Sequence, residues 1–141
     1  MENKEIKKHL IEHQKVVKLI LKDKSFQRNI FDLVNLIKLT ISKNNKIMLA
    51  GNGGSAADAQ HIAAEFIGKL NLKRKALPAI ALNTDTSILT SISNDYNFDQ
   101  IISRQIEGLG KKDDMFIGIT TSGKSKNIIR AIKLAKNKNI K

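Results

Sequence analysis

The sequence predicts an α/β protein, an open sheet of parallel strands with flanking helices, preceded by two N-terminal helices. Three observations carry this. The runs Ile47-Met48-Leu49-Ala50, Ala79-Ile80-Ala81-Leu82 and Met115-Phe116-Ile117-Gly118-Ile119 are short, apolar and free of polar alternation. Each is followed by a polar or glycine-rich loop, and each loop by a helical period. Strands that are apolar on both faces and joined through helices fit a parallel sheet covered on both sides. The chain reads as one domain over residues 1–141, with a helical extension over 1–43 and an incomplete α/β core over 44–141.

Taken in order, apolar side chains at Ile6, Leu10, Val17 and Ile20/Leu21 mark one face of a first helix over about residues 4–22. Ser25 is the expected N-cap of a second helix, whose face carries Phe26, Ile30, Leu33/Val34, Ile37 and Ile41. Two such helices without chemistry cover a core or pair with copies of themselves. After the first strand, a helix is expected from Ala56 to Leu70. Pro78 enters the second strand, where proline is tolerated at a first position. Asn83 to Thr86 is a polar turn, and residues 87–107 read as two helical pieces hinged near Asn94–Phe98. The third strand leads through Thr120–Ser125 into a helix from Asn127 to about Asn137.

At 141 residues the chain is long enough for one domain with a core. Hydrophobic residues at 41% and charged residues at 27% describe a folded, soluble chain rather than a disordered one. The absence of cysteine excludes disulfides and thiolate ligands and fits a reducing, cytoplasmic setting. No signal-peptide pattern follows Met1, and the apolar runs fall short of the ~20 residues of a membrane span. The formal charge of +12 is spread along the chain, with small clusters at Lys7-Lys8, Lys73-Arg74-Lys75 and Lys111-Lys112. One Tyr, five Phe and no Trp leave little for base stacking. The charge therefore reads as a solvated lysine-rich surface, with neither nucleic acid nor membrane as partner.

Ligands of open α/β sheets bind beyond the carboxyl ends of the strands. Gly51-Asn52-Gly53-Gly54-Ser55 places three glycines there, just before a helix start. Such a loop suits an anion or a sugar hydroxyl, or it is a tight turn without a ligand. It is neither a Walker loop nor a dinucleotide fingerprint. In the third loop Thr120, Thr121, Ser122 and Ser125 put four hydroxyls around Gly123. Capping needs one hydroxyl, so the excess favours a phosphate monoester. On the intervening helix Asp58, His61 and Glu65 fall within about 60° of one another, away from an apolar arc of Ala59, Ile62, Ala63, Phe66, Ile67 and Leu70. His61 and Glu65, one turn apart, can reach a common metal ion or substrate carbon. Asn94-Asp95 is either a sugar-binding pair or a turn.

The segments Ala50-Gly51-Asn52-Gly53-Gly54-Ser55-Ala56-Ala57-Asp58-Ala59-Gln60-His61 with Glu65, then Leu77–Leu82 running to Asn94-Asp95-Tyr96, then Ile119-Thr120-Thr121-Ser122-Gly123-Lys124-Ser125, resemble the sugar isomerase (SIS) domain. Within it they resemble the bacterial phosphoheptose isomerases, and the likeness covers nearly the whole chain. The resemblance implies a flavodoxin-like sheet and isomerisation of sedoheptulose 7-phosphate, early in the supply of heptose for lipopolysaccharide. It implies substrate contacts from Asn52, Gly53, Gly54, Ser55, Glu65, Asn94 and Asp95, and a phosphate held by Thr120, Thr121, Ser122 and Ser125. It further implies Zn2+ on His61 and Glu65, Glu65 as the proton carrier, and a homotetramer. Thr120 stands where the family usually has Ser, and Lys124 where it usually has Asn. The family pattern continues through a further strand and a helix that supplies a second His and a Gln; this sequence stops before them, at Lys141. Two other readings share the fold: a replication-initiator-associating protein, which lacks the catalytic Glu, and a phosphosugar-sensing regulatory domain, which needs a DNA-binding helix-turn-helix.

Overall fold

The computed structural model describes residues 3–141, which divide into two compact units between Leu36 and Ile37. The first unit holds α1 (Lys4–Lys22) and most of α2 (Lys24–Ser42). Asn3 caps α1, its side chain accepting from the Glu5 and Ile6 amides. The single residue between the helices, Asp23, serves both. Its N–H donates to Leu19 and Ile20 O, and its carboxylate accepts from the Phe26 amide at 3.0 Å. The N-cap of α2 is therefore Asp23; Ser25 lies inside the first turn. A carboxylate three residues before Phe26 reaches that amide, and a negative charge at a helix start is favourable as well. α1 has no buried residue, and the apolar faces of both helices are largely exposed.

The second unit is the α/β core, and it includes the last turns of α2, because Ile37 and Ile41 pack on the sheet. Its elements are β1 (Ile47–Ala50), α3 (Gly54–Ile67), β2 (Ala79–Ala81), α4 (Thr86–Asp95), a 3-10 turn (Phe98–Gln100), α5 (Ser103–Leu109), β3 (Met115–Gly118) and α6 (Lys126–Asn137). The three strands are parallel in the order β2-β1-β3, with Ile47 opposite both Ala79 and Met115. This is the expected class of fold. Leu82 and Ile119 lie just past their strands, yet their amides still donate to Leu49 and Ala50 O at 2.8 Å.

β1 is buried along its whole length, and its pleat feeds two cores. Ile47 and Leu49 face Ala59 and Ala63 of α3, while Met48 and Ala50 face Ile102, just before α5, Ile106 of α5, and Ile128 and Ala131 of α6. Alanines on α3 and α6 let those helices approach the sheet closely. α3 starts two residues earlier than expected and stops at Gly68, and Leu70 lies outside it with φ 45°. Of its expected apolar arc, Ala59 and Ala63 are buried, whereas Ile67 and Leu70 are exposed. β2 is a short strand at the sheet edge, so one side of α3 extends past the sheet without cover.

Asp114 locks the opposite end of the sheet. It is 2% exposed and accepts from the Lys46 amide at 3.0 Å, the Lys111 amide at 2.8 Å and the Lys46 ammonium. Burial pushes its carboxyl up, but those hydrogen bonds and the Lys46 charge outweigh burial and hold it below the ordinary carboxylate value.

Candidate active site at the carboxyl ends of the strands

With β1 central, the chain leaves it toward β2 on one side and returns as β3 on the other. That switch in direction opens a crevice beyond the carboxyl end of β1. A cleft of about 350 Å³ opens on the β2 side of the β1 loop, lined by Gly51, Asn52, Gly53, Asn83, Thr90 and Ser93, with Leu89, Phe98 and Ile101 as its apolar wall; the loop after β3 does not line it.

The glycine loop is built for close approach. A Cβ on Gly51 would lie 2.4 Å from Ser55 O, so only glycine fits without moving backbone. Gly53 sits at φ +54° at the N-cap of α3, where no side chain supplies a capping acceptor. The helix start is thus left to face the cleft, a favourable place for an anion or hydroxyl. Asn83 fixes the loop from the β2 side: it accepts from the Gly51 amide at 3.0 Å and donates to Gly51 O at 2.9 Å. Asn52 is fixed from the β3 side by a reciprocal amide pair with Asn127, at 3.0 and 2.8 Å. Asn127 is 2% exposed, and its Oδ1 also accepts from the Ile128 amide.

The hydroxyl loop is folded by its own side chains. Thr120 Oγ1 lies 3.3 Å from Ser125 Oγ and accepts from the Gly123 amide, and Ser122 accepts from the Lys124 amide. Gly123 takes φ +66° to make the turn. Ser125 occupies the N-cap position of α6 without a side-chain capping bond, and Ser122 serves an amide outside the helix. Ordinary capping therefore does not account for these hydroxyls. Thr121 and Ser122 are exposed and Ser125 half-buried. The Asn52–Asn127 pair joins the two loops, since Asn127 lies two residues after Ser125.

The remaining expected residues lie elsewhere. Asn94 and Asp95 are exposed at the end of α4 and bond to each other at 2.9 Å, one turn on from the Thr90 and Ser93 wall. His61 Nε2 and Glu65 Oε1 are 3.7 Å apart, so the expected pairing on one helix face is present. They line a different pocket, of about 190 Å³, together with Ile62, Phe66, Leu70, Arg74 and Leu77. The resemblance implies that Glu65 acts on a substrate whose phosphate the hydroxyl loop holds; within one chain Glu65 lies about 16 Å along α3 from Gly54, because a helix rises 1.5 Å per residue. Among the described residues no three His, Cys, Asp or Glu side chains are grouped to hold a metal. Two donors fall short of a closed zinc site.

Sequence reasoning passed over Asn83 and Asn127. Both were visible as polar residues following a strand, but a turn and a helix start explained them equally well.

The fold and this site define a class, an open parallel α/β domain with a glycine-rich loop and a hydroxyl-rich loop at the carboxyl ends of its strands. The SIS domain family model matches residues 13–141. A phosphoheptose isomerase of Nitratiruptor sp. is 48% identical over 136 residues, which is 96% of this chain and 72% of the relative. One of Synechocystis sp. is 52% identical over 118 residues, 84% of this chain and 61% of the relative. The solved phosphoheptose isomerase of Neisseria gonorrhoeae superposes with TM-score 0.89 at 38% identity, over 99% of this chain and 72% of that one. That of Francisella tularensis gives 0.89 at 30% identity, covering 100% and 73%. The chain belongs to the phosphoheptose isomerases of the SIS domain family and spans 61–73% of the length of these relatives.

Proposed function

We propose that this chain is a phosphosugar isomerase that interconverts sedoheptulose 7-phosphate and D-glycero-D-manno-heptose 7-phosphate, supplying heptose for lipopolysaccharide. The observation that carries the reading is the Asn52–Asn127 pair, which fixes an anion-binding glycine loop beside a hydroxyl loop on this family's fold. Asn52, Gly53, Gly54 and Ser55 take the sugar, with Asn94 and Asp95 at its outer edge. Thr120, Thr121, Ser122 and Ser125 hold the phosphate, and the Lys124 charge adds attraction.

Glu65 is the proton carrier. Its carboxylate removes the proton from the hydroxyl-bearing carbon beside the substrate carbonyl, and the electron pair forms an enediolate. The hydroxyl proton passes to the former carbonyl oxygen, and the carbon-bound proton returns to the former carbonyl carbon, leaving the new carbonyl on its neighbour. Because Glu65 lines a pocket apart from the cleft at the glycine loop, a homo-oligomer, a tetramer in this proposal, brings one copy's Glu65 to another's loops. His61 and Glu65 supply two donors to Zn2+, the others coming from another copy or from the part of the relatives that this chain does not span. No helix among the described residues is long and apolar enough to cross a membrane; a cytoplasmic place is part of the proposal.

A coupled isomerase assay on Glu65→Gln tests the core of this reading. The substitution keeps the shape and removes the base, so turnover is expected to fall at least ~100-fold. Turnover equal to the parent's would sink the assignment.

A further inference from the structure

Sequence reading treats Lys73-Arg74-Lys75 as part of a solvated cationic surface. The structure separates Arg74 from its neighbours. Its guanidinium turns back onto α3, donating from Nη2 to Glu65 O at 2.7 Å and from Nη1 to Phe66 O at 2.8 Å and Lys75 O at 3.0 Å. The Leu77 amide adds a bond to Phe66 O at 3.0 Å, and the Gly68 amide closes the helix on Ala64 O at 2.7 Å. Arg74 also lines the pocket that holds the His61 and Glu65 side chains.

The position of Glu65 makes these contacts consequential. α3 ends at Ile67, so Glu65 sits in its last turn, where carbonyls lack intrahelical partners and fraying begins. The segment that follows turns back toward β2 through an exposed stretch that includes Leu70 and Leu72. Phe66 packs against the sheet core, whereas Ile67, Leu70 and Leu72 are exposed. A cation at a helix carboxyl end is favoured by the dipole, and the planar fork of arginine bonds two successive carbonyls at once, which a lysine ammonium does less well.

We propose that Arg74 is a positioning residue. By clamping the Glu65 and Phe66 carbonyls it fixes the last turn of α3, and with it the direction in which the Glu65 carboxylate is presented. The inference rests on the reading of Glu65 as the proton carrier, and the experiment separates the two.

Arg74→Ala, Arg74→Lys, Lys73→Ala and Glu65→Gln are compared in the coupled isomerase assay, at a temperature where circular dichroism shows each fully folded. Amide hydrogen exchange is followed at Gly68 and Leu77. Arg74→Ala is expected to lower kcat about 10- to 100-fold with KM changed less than about twofold, the pattern of a displaced reacting group rather than lost binding. Exchange at Gly68 and Leu77 is expected to accelerate. Arg74→Lys recovers part of the loss, added guanidinium ion restores part of the Arg74→Ala rate, and Lys73→Ala behaves as the parent. If Glu65→Gln is inactive while folded Arg74→Ala keeps its kcat, or if exchange at the two amides is unchanged, the positioning role is overturned and the Glu65 reading stands. If Glu65→Gln turns over normally, the reading fails and takes the positioning role with it.

Discussion

Gly51 and Gly54 stand three residues apart in one loop, and the structure assigns them opposite tolerances. A methyl at Gly51 would meet the Ser55 backbone, whereas one at Gly54 would meet nothing within 4 Å. Gly51→Ala is expected to cost about 1–3 kcal/mol in a urea melt. Gly54→Ala, at a helical position, is expected to be neutral or to stabilise by ~0.4–1 kcal/mol. Equal costs at both would contradict the close approach at Gly51. Asp114 gives a second test at this scale. Its lowered carboxyl value means that its contribution is complete above the ordinary carboxylate range and is lost as pH falls through the folded value. Asp114→Asn should destabilise the chain by about 2–3 kcal/mol at neutral pH and flatten the fall of stability in acid. An unchanged acid limb would show that this carboxylate does not drive it.

Loops and helices are coupled at the scale of elements by a few long-range polar contacts. Asn52 follows β1 and Asn127 opens α6, yet each amide satisfies the other. Either asparagine changed to alanine leaves a buried or half-buried partner unsatisfied. A double-mutant cycle on Asn52→Ala and Asn127→Ala should therefore give a coupling of about 1 kcal/mol or more. A coupling indistinguishable from zero would mean that the two loops are set independently. The same scale shows what a sequence conceals. Three strands, the glycine loop and the turn at residues 120–125 were legible because each is a local pattern of apolar runs, glycines or hydroxyls. The N-cap of α2 was misplaced because Asp23 and Ser25 are both good caps, and only the reach to the Phe26 amide decides between them. Arg74 reads as solvated from sequence because nothing local distinguishes it from Lys73 or Lys75.

Over the whole molecule, the exposed apolar faces of α1 and α2 stand out. Ile30 is 48% and Leu10 66% exposed, and α1 buries no residue at all. Apolar surface on that scale is a mark of association. Sedimentation velocity is expected to find the chain larger than a monomer. Ile30→Glu should shift it toward monomer by at least ~10-fold in dissociation constant while leaving the α/β unit folded. A parent that sediments as a monomer at micromolar concentration would remove the proposed route by which Glu65 reaches the phosphate loops of another copy.

What the sequence determined by itself were the features written in neighbouring residues: a parallel α/β class, the glycine-rich and hydroxyl-rich loops, the one-turn spacing of His61 and Glu65, and the family. Those follow from helical and strand periods and from what glycine and hydroxyl side chains do locally. Tertiary structure alone decided which of these parts meet. It paired Asn52 with Asn127, 75 residues away, and Gly51 with Asn83. It put Glu65 in a pocket apart from the loops and set Arg74 beneath it. The physical reason is that strand order fixes which loops become neighbours. The order β2-β1-β3 is settled by burial of β1 on both faces, a property of the packed sheet rather than of any one segment.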